Sequence, residues 1–251
     1  NSIVGIGRNC LHAHTTGTGN VAMGTGTMNL TTTGSSNTAI GNSSLATNVT
    51  GERNTVMGYN VADAGGTNVL NYNVVIGFNA LTGATGTCSS NVIIGDAAAA
   101  LTSSVSNAVL IGQGAGGTCT GARSVGVGTS TLISATGVDN VVMGYHAGYT
   151  ITSGYYNVAI GSQSMKLTGT GYQNTAVGFQ TLHNNTTGTE NSAIGFQTLY
   201  HNTGNNNTAV GQYALHNNIG GNENVAMGVR AGFSATTAIR NVILGYFAGY
   251  H

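Results

Sequence analysis

Two glutamates are the first candidates for chemistry, because they occupy the same position in a repeated sequence pattern. Glu190 and Glu223 each lie five residues before a glycine of the repeat described below. If every repeat forms one coil, the strand spacing places the two carboxylates about 10 Å apart, within the range of an inverting glycosidase pair. A surface ion pair is the simpler interpretation, because Arg240 lies one repeat after Glu223. We predict no catalytic residue and a protein that is not an enzyme.

A glycine-rich run matches the fingerprint of a dinucleotide-binding loop. Gly112 to Gly117 reads G-x-G-x-x-G after the apolar segment Val109 to Ile111, and Asp139 follows at roughly the distance of a ribose-binding acid. The residues after this run do not form a helical pattern, and the match is explained by a repeat that has glycine where leucine usually stands. The sequence therefore predicts no nucleotide and no other cofactor.

Three histidines fall at almost the same place in successive repeats. They are His183, His201 and His216. A metal site needs imidazole nitrogens that converge on one ion at about 2.1 Å. An exposed polar edge is the alternative interpretation, so we predict no metal and keep these three residues as the metal candidates of the chain.

Aromatic residues that follow repeat glycines indicate a ligand-binding surface. Phe179 and Phe196 lie one repeat apart and should stack, and Gln180 and Gln197 stand beside them. Sugars stack on such rings while amides bind their hydroxyl groups. The rings could instead fill an edge between coils or between subunits, and the sequence leaves both interpretations open.

The composition excludes several classes of protein. The chain has six basic and six acidic side chains, a net charge of zero, 41 Gly and no Pro. So few basic residues cannot neutralise the phosphates of a nucleic acid, which excludes a nucleic-acid partner. Glycine, threonine and asparagine disfavour helices, and no apolar run is long enough to insert into a membrane.

A repeat of about 17 residues accounts for the whole sequence. The segment Asn37-Thr38-Ala39-Ile40-Gly41 recurs in fifteen exact or degenerate copies, and a second short extended piece, such as Ser44-Leu45, starts three residues after the glycine. Seventeen residues hold two short strands and two turns, which make one coil of a solenoid. The sequence therefore predicts an all-β, parallel β-solenoid of about 15 coils, forming a single repeat domain over residues 1–251.

Alternation along the strand divides its side chains between two faces. We expect the Ile40 position to form the core of each coil and the Ala39 position to point outwards. An exposed stripe of small apolar residues needs a partner, and three such stripes pack well around an axis. The sequence thus predicts a homotrimer with this oligomer interface: Ala159, Ala176, Ala193, Ala209 and Ala226.

The motif Asn-Thr-Ala-Ile-Gly followed by the Ser44-Leu45 pair resembles the head repeats of YadA-type trimeric autotransporter adhesins, whose motif is Asn-Ser-Val-Ala-Ile-Gly. It is still more similar to the longer repeats of phage tail fibres. The resemblance covers the whole chain and implies a left-handed parallel β-roll that is homotrimeric and lies on a virion or outside a cell.

The sequence predicts a fibre or adhesin shaft on a virion or cell surface that binds itself and, along its side, glycans or a host surface. The chain starts and stops inside a repeat with no atypical capping repeat, so we expect a segment of a longer protein. The alternative is a subunit of an extracellular filament built by end-to-end stacking. An ice-binding solenoid is a third reading, because Thr-x-Thr segments occur, although at differing positions of the repeat.

Overall fold

The structure, a computed structural model, describes residues 2–63 and 69–250. The chain is all-β and forms a parallel β-solenoid with about 14 turns of about 17 residues, which confirms the predicted fold class. It falls into two compact units, Asn1–Arg123 and Ser124–His251, and both are built from the same repeat. A single repeat domain over residues 1–251 stays a prediction.

Each coil contributes one three-residue strand to a parallel sheet. In the first unit these strands are β1 (Val4–Ile6), β2 (Val21–Met23), β3 (Thr38–Ile40), β4 (Thr55–Met57), β6 (Val74–Ile76), β8 (Val92–Ile94) and β9 (Val109–Ile111), while β5 (Leu70–Asn71) and β7 (Cys88–Ser89) pair separately. In the second unit they are β10 (Val125–Val127), β11 (Val141–Met143), β12 (Val158–Ile160), β13 (Thr175–Val177), β14 (Ser192–Ile194), β15 (Thr208–Val210), β16 (Val225–Met227) and β17 (Val242–Leu244). Equivalent repeat positions pair directly, as Ala176 does with Ala193.

The two faces of the strands are the reverse of the sequence-based assignment. The central residue of the strand points into the coil, so the predicted oligomer interface is wrong. Every residue assigned to it is fully buried within one chain: Ala159, Ala176, Ala193, Ala209 and Ala226. The position expected to form the core is at least partly exposed instead, and Ile194 keeps 48% of its surface in contact with solvent.

The narrow interior of the coil explains why small residues lie inside. The strand residue shares the interior with the apolar residue six positions later, as Ala39 does with Leu45, and both are fully buried. In some coils with a larger strand residue the partner is glycine: a Cβ at Gly116 would approach the side chain of Leu110 to 2.5 Å, and one at Gly148 would approach Val142 to 3.0 Å. Glycine makes room for the larger side chain in these close-packed coils, whereas another coil buries both Val75 and Leu81.

The second predicted strand of each repeat is a turn. Residues 42–47 form turns, and Ser43 and Leu45 have φ values of 52° and 53°. An extended strand directs adjacent side chains to opposite faces. Ser44 and Leu45 are both fully buried, so the chain must depart from the extended conformation to turn two consecutive side chains inwards.

The turns make backbone hydrogen bonds to both neighbouring coils, which explains the absence of proline. The Gln180 amide donates to the Ser162 carbonyl, and the Leu182 amide donates to the Thr198 carbonyl, both at 3.0 Å. Proline would remove such a donor. Gly178, which closes a strand, has a φ of 133°, and a Cβ there would overlap the Gly195 carbonyl oxygen of the next coil.

The first asparagine of each repeat forms a buried ladder of amide side chains, which we call the asparagine ladder. The Asn54 backbone amide donates to Asn37 Oδ1 at 3.0 Å and the Asn54 side chain donates to the same atom at 2.9 Å. The Asn37 side chain also donates to the Gly51 carbonyl at 2.9 Å. The ladder residues are Asn20, Asn37, Asn54, Asn73 and Asn91 in the first unit and Asn140, Asn157, Asn174, Asn191, Asn207, Asn224 and Asn241 in the second.

Candidate functional site

The second unit carries a stack of aromatic rings along one edge, with one ring per coil. We call it the aromatic ladder, and its members are His183, Tyr200, His216, Phe233 and Tyr250. Neighbouring ring centroids are 4.9, 5.2, 5.1 and 5.4 Å apart and the planes differ by 23° or less. All five residues stand five positions after a repeat glycine, so the solenoid register alone brings the rings into contact.

The aromatic ladder corrects the expected alignment of the three candidate metal ligands. His183 and His216 belong to the ladder, but Tyr200 lies between them. His201 stands beside the ladder and meets the Tyr200 and His216 rings nearly at right angles. Within residues 2–63 and 69–250, no group of three His, Cys, Asp or Glu side chains is placed to hold a metal ion.

Burial sets the protonation of the two ladder histidines. Desolvation lowers the pKa of His183, and the positive charges of Lys166 and His201 lower it further, against the opposing effect of a hydrogen bond with Asn184. Desolvation also lowers the pKa of His216. Both imidazoles are therefore neutral at neutral pH and serve as flat aromatic groups in the stack.

The predicted stacking of Phe179 on Phe196 is confirmed. Their ring centroids are 5.2 Å apart with planes at 19°, and the residues stay 40% and 39% exposed. The neighbouring glutamines form a second row: Gln180 Nε2 donates to Gln163 Oε1 at 2.8 Å, and Gln197 Nε2 donates to Gln180 Oε1 at 2.6 Å. We call these two phenylalanines and three glutamines the ring–amide platform.

Each glutamine of the ring–amide platform retains hydrogen-bonding capacity after the row has formed. A primary amide offers two N–H donors and two acceptor lone pairs. Gln180 uses one donor and one acceptor within the row. The remaining groups lie next to exposed ring surface, which is the combination that recognises the hydroxyl groups and C–H faces of a sugar. Gln163 was missed from the sequence, although it occupies the position of Gln180 one repeat earlier.

An arginine and a tyrosine, also missed from the sequence, follow the platform. The Tyr213 ring meets the edge of Phe196 at 5.4 Å and 78°. The Arg230 guanidinium lies 5.6 Å from the Tyr213 ring, 5.8 Å from Phe233 and 5.0 Å from Phe247, within the range of cation–π interactions. Tyr213 and Arg230 stand two residues after a repeat glycine, as Gln180 and Gln197 do, so the repeat register is the signal that could have found them.

The first unit repeats this arrangement with different residues. Tyr59 stacks on Phe78 at 5.4 Å and 13°, and both rings are more than half exposed. Beside them Asn60 Nδ2 donates to Asn79 Oδ1 at 2.9 Å. The next coil places the exposed Asp96 at the position of the rings, so this pair is followed by a carboxylate and not by a cation.

The two glutamates do not form a catalytic pair. Glu223 is ion-paired to Arg240, with Nε and Oε2 2.7 Å apart, and both side chains are well exposed. The hydrogen bond from Arg240, with its positive charge, lowers the pKa of Glu223, whereas a catalytic acid needs a raised pKa. The repeat position between Glu190 and Glu223 is occupied by Asn206. The surface ion pair expected from the sequence is confirmed.

The glycine-rich run is part of the solenoid, as expected. Gly116 stands at the position of the buried turn leucine and lies against Leu110. Over the described residues no pocket is found, and none of their segments is a helix able to span a bilayer.

Comparison with protein-family models, with curated proteins and with solved structures finds no match for this chain.

Proposed function

We propose that this chain is a non-enzymatic fibre or adhesin shaft on a virion or cell surface that associates with further copies of itself and binds glycans along its side. The observation that carries the proposal is, in each unit, a column of apolar side chains on the outer face of the sheet. We call it the outer apolar column. It consists of Met23, Ile40, Met57, Ile76, Ile94 and Ile111 in the first unit and Val127, Met143, Ile160, Val177, Ile194, Val210, Met227 and Leu244 in the second.

Exposure of the outer apolar column to water is unfavourable in free energy. Its members are at least partly exposed and stand one above another at the spacing of parallel strands, about 4.8 Å. Valine, threonine or serine fills the other outward position of the same strands, so no charged side chain interrupts the column. Extended apolar patches on soluble proteins usually mark interfaces.

A second and third copy of the chain are the partners that fit this surface best. Within each unit the column repeats at the spacing of the strands, so an identical column on another copy has the same spacing. The resemblance of the repeat to trimeric adhesins supports three copies. The small alanines take no part in this surface, because they lie inside the coil.

We expect Ile194→Glu with Val210→Glu to separate the copies without unfolding the chain. Both side chains lie on the outer apolar column, and a buried, unpaired carboxylate opposes association. Analytical ultracentrifugation of the wild type should give the mass of three chains, and the double variant should give the mass of one chain with an unchanged far-ultraviolet circular dichroism spectrum.

Ile219→Glu is the matched control for the separation experiment. Ile219 is 56% exposed, slightly more than Ile194, but lies in a turn away from the sheet. This variant should keep the mass of the wild type. A wild type that sediments as one chain at micromolar concentration would contradict the proposed self-association.

The lateral binding proposal is tested at the ring–amide platform. We expect Phe179→Ala with Phe196→Ala to lower glycan affinity by about tenfold or more, because each aromatic contact removed contributes on the order of 1 kcal/mol. Binding to a printed glycan array, followed by calorimetry on any saccharide bound, measures the change. Unchanged binding by the folded double variant would remove the platform as the site.

A further inference from the structure

Arg230 gives the second unit a cationic group beside the ring–amide platform. The ring–amide platform lies on the coils that contain Gln163, Gln180 and Gln197. Tyr213 lies on the next coil, and its ring is in edge contact with Phe196. Arg230 occupies the next coil at the same repeat position as Tyr213. Its backbone amide donates to the Gln212 carbonyl at 2.8 Å, which fixes the start of its side chain.

The guanidinium of Arg230 is held by aromatic rings and not by carboxylates. It lies within 6 Å of the rings of Tyr213, Phe233 and Phe247. It forms no ion pair with any of the residues that the structure describes, and Glu223, seven residues earlier, is paired with Arg240. Contact with the rings restrains the guanidinium but takes up none of its N–H donors in hydrogen bonds. Its charge and its fork of N–H donors therefore stay available to a ligand.

We propose that Arg230 binds the anionic group of an acidic saccharide whose ring lies on the ring–amide platform. The recognised group is a carboxylate, a sulfate or a phosphate, each of which matches the planar fork of arginine. This inference rests on the proposed lateral glycan binding and names the class of glycan. The sugar ring contacts Phe196 and Tyr213, its hydroxyl groups bond the free amide groups of Gln197, and its anion pairs with Arg230.

The first unit has a similar stacked pair of rings, but an acidic residue follows it in place of an arginine. Its stacked pair, Tyr59 and Phe78, has an amide row of the same kind, yet the next coil presents Asp96. Gln113 Nε2 lies 3.4 Å from Asp96 Oδ2 and does not neutralise the carboxylate. The negative charge of Asp96 would repel an acidic saccharide at this stacked pair, so the pair gives the opposite preference to the one proposed beside Arg230.

The experiment compares the wild type with Arg230→Gln and Arg240→Gln on matched saccharides: lactose, sialyllactose, sulfated lactose, mannose and mannose 6-phosphate. Glutamine suits position 230, because Gln180 and Gln197 occupy the equivalent positions with φ values of 51° and 50°, close to the 57° of Arg230. Arg240→Gln removes the same charge from a residue that is already ion-paired. The three acidic probes separate a carboxylate from a sulfate and from a phosphate.

We expect the wild type to bind one acidic member more tightly than its neutral partner and Arg230→Gln to weaken that binding about tenfold or more, the effect of losing a charge-assisted hydrogen bond. Binding of the neutral sugar should change less than twofold. Equal affinity for acidic and neutral members, or equal losses in Arg230→Gln and Arg240→Gln, would overturn the role of Arg230 while leaving lateral glycan binding intact. A wild type that binds none of the five saccharides, nor any glycan of a wider array, would overturn lateral binding as well.

Discussion

Ala193→Asp is expected to unfold the coils around it, by about 4 kcal/mol or more, because it places an unpaired carboxylate in the fully buried interior. Ala193 faces the interior that Leu199 also fills, and neither water nor a cation reaches this space. The variant should lose the β-sheet signal in far-ultraviolet circular dichroism, or melt far below the wild type. The Ala193→Asp variant would therefore lose its fold within a single chain, and not only its contacts with other copies.

Ile194→Asp is the matched control, since it makes the same chemical change one residue along the strand. Ile194 points outwards, so its carboxylate stays in water and the single chain should keep its fold. Both variants are best compared in urea unfolding at protein concentrations where the wild type is a single chain, because association would otherwise add to the stability measured. Equal losses at the two positions would contradict the assignment of the faces.

Replacing Asn37 with Leu is expected to lower the free energy of unfolding by about 3–5 kcal/mol, because several buried polar groups each lose a partner worth about 1–3 kcal/mol. The Asn54 backbone amide would lose Oδ1 of Asn37 as its acceptor, and the Gly51 carbonyl would lose the Asn37 side-chain donor. Leucine has the same branching and the same number of side-chain heavy atoms as asparagine but a larger volume, so the loss would combine broken hydrogen bonds with tighter packing. Urea unfolding followed by circular dichroism measures it.

Asn42→Leu controls for the asparagine substitution within the same coil. Asn42 is exposed, and its side chain accepts a hydrogen bond only from the Ser43 hydroxyl. This variant should change the unfolding free energy by less than about 1 kcal/mol, as surface substitutions usually do. If both asparagine variants were equally stable, the ladder would have no role in holding the coils together.

The repeat made the fold predictable, but alternation could not tell the inside from the outside. A period of two puts Ala176 and Val177 on opposite faces without saying which face is buried. Experience with globular cores favours the larger residue, whereas a coil this narrow accepts the smaller one. A partial signal is the compensation between positions six apart, where Ala39 accompanies Leu45 and Leu110 accompanies Gly116, although Val75 accompanies Leu81.

The candidate site was only partly predictable for a related reason. The stacking of Phe179 on Phe196 follows from register alone, since both residues directly follow repeat glycines. His201 was grouped with His183, although the repeat spacing places Tyr200 at the equivalent position and His201 one residue beyond it. The cation–π contacts of Arg230 depend on side-chain directions that no periodicity specifies.

The asparagine ladder also gives the solenoid a direction of growth. Between successive asparagines the later residue donates and the earlier one accepts, as when both amide groups of Asn54 donate to the single oxygen of Asn37, although the Asn37 side chain also donates forward to the Gly51 carbonyl. A finished coil therefore offers an acceptor, already held in place, to the residues that are synthesised next. Each coil of about 17 residues can then become ordered on the coil that precedes it. A nascent chain can therefore fold from its amino-terminal side while the remainder is still being translated.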